Sequence, residues 1–178
     1  WGRRLRWIGL AAGPSGLLLG ETRHLSTDVA AVPLLWVLPL LVYLGTFVVA
    51  FRRGDPPSEQ LRRVSLLVAI PLVATLVGGV GSAVVAVAIG VGGFALLALV
   101  CHRQLASDRP AATGLTGYYL WISVGGAIGG VSVALVAPLV FERVTEYPLL
   151  LAAAFGIVAV SSERPERSGA RLLAAVVG

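Results

Sequence analysis

The chain has 178 residues, of which 57% are hydrophobic and only 13% charged, with a mean hydropathy of +0.88. A soluble domain carries about 25% charge, so this composition excludes an ordinary globular fold and makes lipid the expected solvent. The net charge of +5 and pI near 10.3 would suggest nucleic acid in a soluble protein, but the placement of the arginines described below accounts for both and no nucleic-acid partner is expected.

The first apolar stretch covers 7–20. Pro14-Ser15-Gly16 lies inside it and predicts a kink or break, because proline removes a backbone donor. The stretch runs into Glu21-Thr22-Arg23-His24-Leu25-Ser26-Thr27-Asp28, the densest polar cluster outside the arginine-rich loops. A second stretch, 29–51, begins beside Asp28 as its N-cap and contains Pro33 and Pro39. Arg52-Arg53, Gly54-Asp55-Pro56-Pro57 and Arg62-Arg63 then form a polar loop.

From Val64 to Cys101 there is no charge at all. As one helix this segment would be about 57 Å long, nearly twice the apolar thickness of a bilayer. It must fold back, and Gly78-Gly79-Val80-Gly81-Ser82 is the turn, giving spans near 64–80 and 82–101. A fifth span, 116–141, opens on Tyr118-Tyr119-Leu120-Trp121, whose amphipathic rings favour the headgroup level. A sixth covers 146–161, and 171–178 starts a further one.

These runs are too long and too uniform for a β-barrel, and helices satisfy their own backbone in lipid. The predicted fold is all-α: a single polytopic transmembrane helix bundle over 1–178, with six spans plus the start of a seventh. All 14 basic residues are arginine. In that topology all but Arg23 and Arg143 fall on one side, which the positive-inside rule makes cytoplasmic together with the N-terminus. The opening is superficially like a signal peptide, but no small-residue cleavage site follows. The missing methionine and the stop within a new apolar run read as an internal piece of a longer polypeptide. The lone Cys101 leaves no intrachain disulfide.

Four motifs merit weighing. Gly125, Gly126, Gly129 and Gly130 make two overlaid GxxxG spacings, a flat helix face for close helix packing. Gly90-Val91-Gly92-Gly93-Phe94-Ala95 fits a dinucleotide fingerprint on paper, but strand, turn and helix would all lie in lipid. Cys101-His102 has no partners at metal-ligand spacing, so no metal is expected and His102 reads as a helix-end residue near the C-terminal dipole. Glu21, His24 and Asp28 sit at a membrane edge beside a proline-broken helix, as transporter sites do; Glu142 and Glu146 share that side in the six-span topology. The plainer reading of this cluster is a solvated loop with a helix cap. No catalytic constellation can be assembled, and no cofactor is implied.

Pro14-Ser15-Gly16-Leu17-Leu18-Leu19-Gly20, continued by His24-Leu25-Ser26-Thr27-Asp28-Val29-Ala30-Ala31-Val32-Pro33-Leu34-Leu35-Trp36-Val37-Leu38-Pro39-Leu40, resembles a family of bacterial membrane proteins. In these a transporter-like membrane half is fused to a spermidine synthase-like domain. Val100-Cys101-His102, Tyr119-Leu120-Trp121-Ile122-Ser123, Gly125–Gly130, Ala134–Leu139 and Glu146-Tyr147-Pro148-Leu149 extend the resemblance over about 3–152. The family pattern commonly has acidic residues where Gln104 and Gly117 stand and asparagine where Val133 stands, and the chain departs from it there.

The resemblance implies the membrane half alone, in the bacterial inner membrane, with a cytoplasmic synthase-like domain fused or associated. Together with the fusion it suggests a bundle that binds or moves a polyamine or similar cation, for which the polar cluster offers Glu21, His24 and Asp28 as binding residues with Glu142 and Glu146 as outer partners. His24 would sense pH in that role, imidazole being near neutrality by default. The alternative is a non-transporting membrane anchor or scaffold for the synthase-like domain.

Overall fold

The computed structural model of the protein describes residues 1–26, 34, 36–65, 67–68 and 83–140. All regular elements among them are helical. They are α1 (Gly2–His24), α2 (Val37–Arg53), α3 (Ala83–Ser107) and α4 (Leu115–Val131), with a 3-10 turn at Ala112–Gly114 before α4. A π-helical segment, Ser132–Val136, and a last short helix, α5 (Ala137–Val140), follow α4 without a break.

α1 owes its burial to period. Trp7, Leu10, Ala11, Pro14, Leu17 and Glu21 are all buried and recur every three or four residues, which puts them on one stripe. The helix does not break at Pro14-Ser15-Gly16 as the sequence suggests: Pro14 lies inside a continuous helix and is itself buried. Its ring fills space within the packed stripe, and that packing offsets the backbone bond it removes.

α2 begins at Val37, so Pro39 falls in its first turn, where a missing N–H has no intrahelical partner to lose. It ends at Gly54, which takes φ 69° and sends its N–H to the Ala50 carbonyl, a left-handed stop that glycine adopts without steric cost. Ser58 then caps a further turn, its Oγ accepting from the Leu61 N–H at 3.1 Å. α3 continues past Cys101 to Ser107, since no breaker intervenes before Pro110. Pro138 lacks the N–H that would bond Ala134, and the chain widens to a π turn there, as helices do around such a defect.

α1 is the central element, packed by α4 and by α3, with α2 packed mainly on α3 and also touching α1. Trp7 meets Tyr118, and Ile8 and Ala12 meet Gly125 and Gly129, so α1 and α4 run parallel. Arg6 meets Asp108 while Glu21 meets Gly90, so α3 runs antiparallel to both. The core is Trp7, Leu10, Leu17, Phe94, Leu97, Cys101, Leu105 and Tyr118 with their small neighbours.

Six crossings with the start of a seventh, entered from a cytoplasmic N-terminus, is not the architecture found. Among the described residues two helices are long and apolar enough to cross a membrane, Val87–Ser107 and Ala112–Val136. The reason is length. The apolar part of α1, from Trp7 to Gly20, covers about 21 Å and α2 about 26 Å at 1.5 Å per residue, against a hydrocarbon core of about 30 Å. α1 is also interrupted by Arg6, Glu21 and Arg23. The expected spans at 146–161 and 171–178 lie outside the described residues, as do most of 64–80, the turn at 78–82 and the start of 29–51.

Candidate functional site: a buried polar line between the helices

Glu21 is the last member of the α1 stripe and is fully buried. It lies against α3 where that helix has no side chain: a Cβ built on Gly90 would stand 2.6 Å from Glu21 Oε1. Gly90 heads the α3 stripe of Phe94, Leu97, Ala98, Cys101 and Leu105, all buried. The helical period thus aligns a carboxylate on one helix with a gap on the next. The same geometry settles the glycine-rich run at 90–95, which is continuous helix and not a strand-turn-helix.

Further along the bundle, Ser15 Oγ and Tyr43 Oη share a hydrogen bond of 3.3 Å between α1 and α2. Next comes His102, 1% exposed and caged by edge-on contacts from Tyr43 at 5.0 Å and Phe47 at 5.1 Å. Thr46 Oγ1 donates to the Tyr43 carbonyl at 2.9 Å and lies 3.1 Å from His102 Nδ1. A hydroxyl has one hydrogen to give, so Nδ1 must be the donor in the second bond, and the network assigns the hydrogen to that nitrogen. His102 is therefore an interior residue with a fixed ring, and not the helix-end residue its position suggests.

The line ends where the start of α1 meets the end of α3. Arg6 pairs with Asp108 at 3.1 Å, both side chains being largely buried. Arg3 donates to the Asp108 carbonyl at 3.0 Å. Tyr118, buried below, donates to the Leu105 carbonyl at 2.6 Å.

Of the residues singled out from sequence, Glu21 stands in this line and His24 is half-buried at the end of α1. Asp28, Glu142 and Glu146 lie outside the described residues. Gly125 and Gly129 stand where α4 touches α1: a Cβ at Gly125 would come 2.5 Å from the Ile8 carbonyl oxygen, and one at Gly129 would collide with that of Ala12. Gly126 and Gly130 sit beside them, facing Ser15 and Leu19 more loosely, at 3.3 and 3.7 Å. Among the described residues no three His, Cys, Asp or Glu side chains gather as a metal site. Sequence reasoning passed over Tyr43 and Thr46, and with them the surroundings of His102. Their signal is the i, i+3, i+4 spacing of Tyr43, Thr46 and Phe47, which puts three side chains on one face.

Among the described residues the architecture is all-helical, with two candidate membrane-crossing helices and a polar line buried beside them. No family model matches the chain, and neither a curated protein nor a solved structure matches it.

Proposed function

We propose that the chain is a helical domain of the bacterial inner membrane that binds a polyamine or similar organic cation, with Glu21 as the anchoring carboxylate. The complete burial of Glu21 carries this reading. Buried carboxylates in membrane helices mark ion and substrate pathways. An ammonium group is the ligand class complementary to a carboxylate, and this one lies against α3 at Gly90. Asp28, Glu142 and Glu146 would serve the remaining ammonium groups of a polyamine. The resemblance to the membrane half of spermidine synthase-like fusion proteins supports the same class of cation.

Labelled spermidine titrated onto the purified protein in detergent tests this. Saturable binding that is lost in Glu21→Gln and kept in Glu59→Gln is the expected result, since Glu59 is an exposed residue of the 58–65 segment. Binding unchanged in Glu21→Gln overturns the assignment. Absence of binding in the wild type favours the other reading, a membrane anchor for a cytoplasmic synthase-like domain. The backbone-level contact of Gly125 and Gly129 with α1 supports that second reading, because it holds α1 and α4 as one unit.

A further inference from the structure

The basic end of the bundle carries an open groove of about 390 Å³ between the start of α1, the turn around Pro110 and the start of α4. Two arginines and three tryptophans contribute to its wall: Arg3, Arg4, Trp1, Trp7 and Trp121, with Tyr118 beside them. Gly114 and Gly117 line it from the α4 side, and no atom lies within 4 Å of a Cβ built on Gly117.

Two observations point to an anion. First, the Asp108 carboxylate is engaged by Arg6, and the partners of Arg3 and Arg4 among the described residues are a backbone carbonyl and aromatic faces. Arg3 lies 5.1 Å above Trp7, and Arg4 lies 5.4 and 5.5 Å from the Trp1 and Trp121 rings. Those stacks orient the guanidinium planes while leaving N–H donors for a planar or tetrahedral oxyanion. Second, the groove sits at the ends of the two described helices long enough to cross a bilayer, Val87–Ser107 and Ala112–Val136, where the headgroups of a surrounding membrane would lie.

We propose that this groove binds the phosphate of an anionic phospholipid headgroup, with Arg3 and Arg4 as the charge partners. The site is separate from Glu21, at the opposite end of α1, and carries the opposite charge. It depends on the membrane reading only for the source of the phosphate.

The test uses short-chain phosphatidylglycerol, short-chain phosphatidylcholine and inorganic phosphate as probes, added to the protein in a neutral detergent. Tryptophan emission reads binding in a Trp36→Phe background, since Trp36 is outside the groove. Phosphatidylglycerol is expected to bind roughly tenfold more tightly than phosphatidylcholine, from two arginines at a membrane surface. Arg3→Gln with Arg4→Gln should abolish that preference. Arg52→Gln with Arg53→Gln, which removes equal charge elsewhere, should leave it intact. Equal binding of the two lipids, or equal loss in both arginine pairs, overturns the site. Inorganic phosphate binding as tightly as phosphatidylglycerol overturns the lipid source. Loss of spermidine binding in Glu21→Gln has no bearing on these outcomes.

Discussion

The Glu21 carboxylate and the α-carbon of Gly90 face each other across the contact of α1 and α3, so closely that a Cβ at position 90 would stand 2.6 Å from Oε1. Gly90→Ala must therefore displace a side chain that has no exposed surface to move into. A loss of about 1–2 kcal/mol is expected, in the range of overpacked cores. Gly92→Ala, two residues on, meets nothing within 4 Å and should be neutral or more stable by up to about 1 kcal/mol, through helix propensity alone. Thermal unfolding in detergent compares the two directly.

The α1–α4 contact predicts a sharper contrast. At Gly125 and Gly129 the obstructing atoms are backbone atoms of Ile8 and Ala12, which cannot rotate away. Alanine at either position should cost about 2–3 kcal/mol by forcing the helices apart. At Gly130 the nearest atom is the end of the Leu19 side chain at 3.7 Å, an ordinary contact. Alanine there should change stability by less than about 0.5 kcal/mol. A ranking in which Gly130→Ala is as damaging as Gly129→Ala would contradict the observed face of α4.

His102 depends on Thr46. Thr46→Val keeps the shape of the side chain and leaves the Nδ1–H of a buried ring without its 3.1 Å partner. The expected cost is about 1–3 kcal/mol, the penalty of an unsatisfied buried donor. Thr46→Ser, which keeps the hydroxyl, should recover most of it. The imidazole ring proton signals in an NMR spectrum would move in the valine variant and return in the serine one.

Ion pairs at the two polar segments should differ by their exposure. Arg6 and Asp108 are both largely buried, and Asp108→Asn removes the negative charge of this pair. A loss of roughly 1–3 kcal/mol is expected where a partly buried pair is broken. Glu59 is 62% exposed against Arg62 and Arg63, and Glu59→Gln should cost at most about 0.5 kcal/mol, fading with added salt. Unfolding at low and high salt separates the two.

Tyr118→Phe removes the 2.6 Å bond to the Leu105 carbonyl while keeping the ring edge-on to Trp7 at 5.0 Å. About 1 kcal/mol should be lost. Because Tyr118 also lines the groove at the basic end, tryptophan emission should report whether Trp7 stays in place.

The sequence by itself determined that this chain is helical and that glycines at 125 and 129 form a flat face, because apolar length, helical period and small-residue spacing are local properties of the chain. It also placed Glu21 in register with Trp7, Leu10, Leu17 and the rest of the α1 stripe, although the expected reading put that residue in a membrane-edge cluster. Counting crossings from hydropathy did not survive, because an apolar run tells how a segment partitions and not whether its helix is long enough or is covered by neighbours. Only the tertiary structure decided that Pro14 is carried inside a continuous helix, that Gly90 is the place where Glu21 fits, and that His102 belongs between Tyr43, Thr46 and Phe47. Each of these depends on which helix lies alongside which, and that is set by packing between residues more than 50 positions apart in the chain.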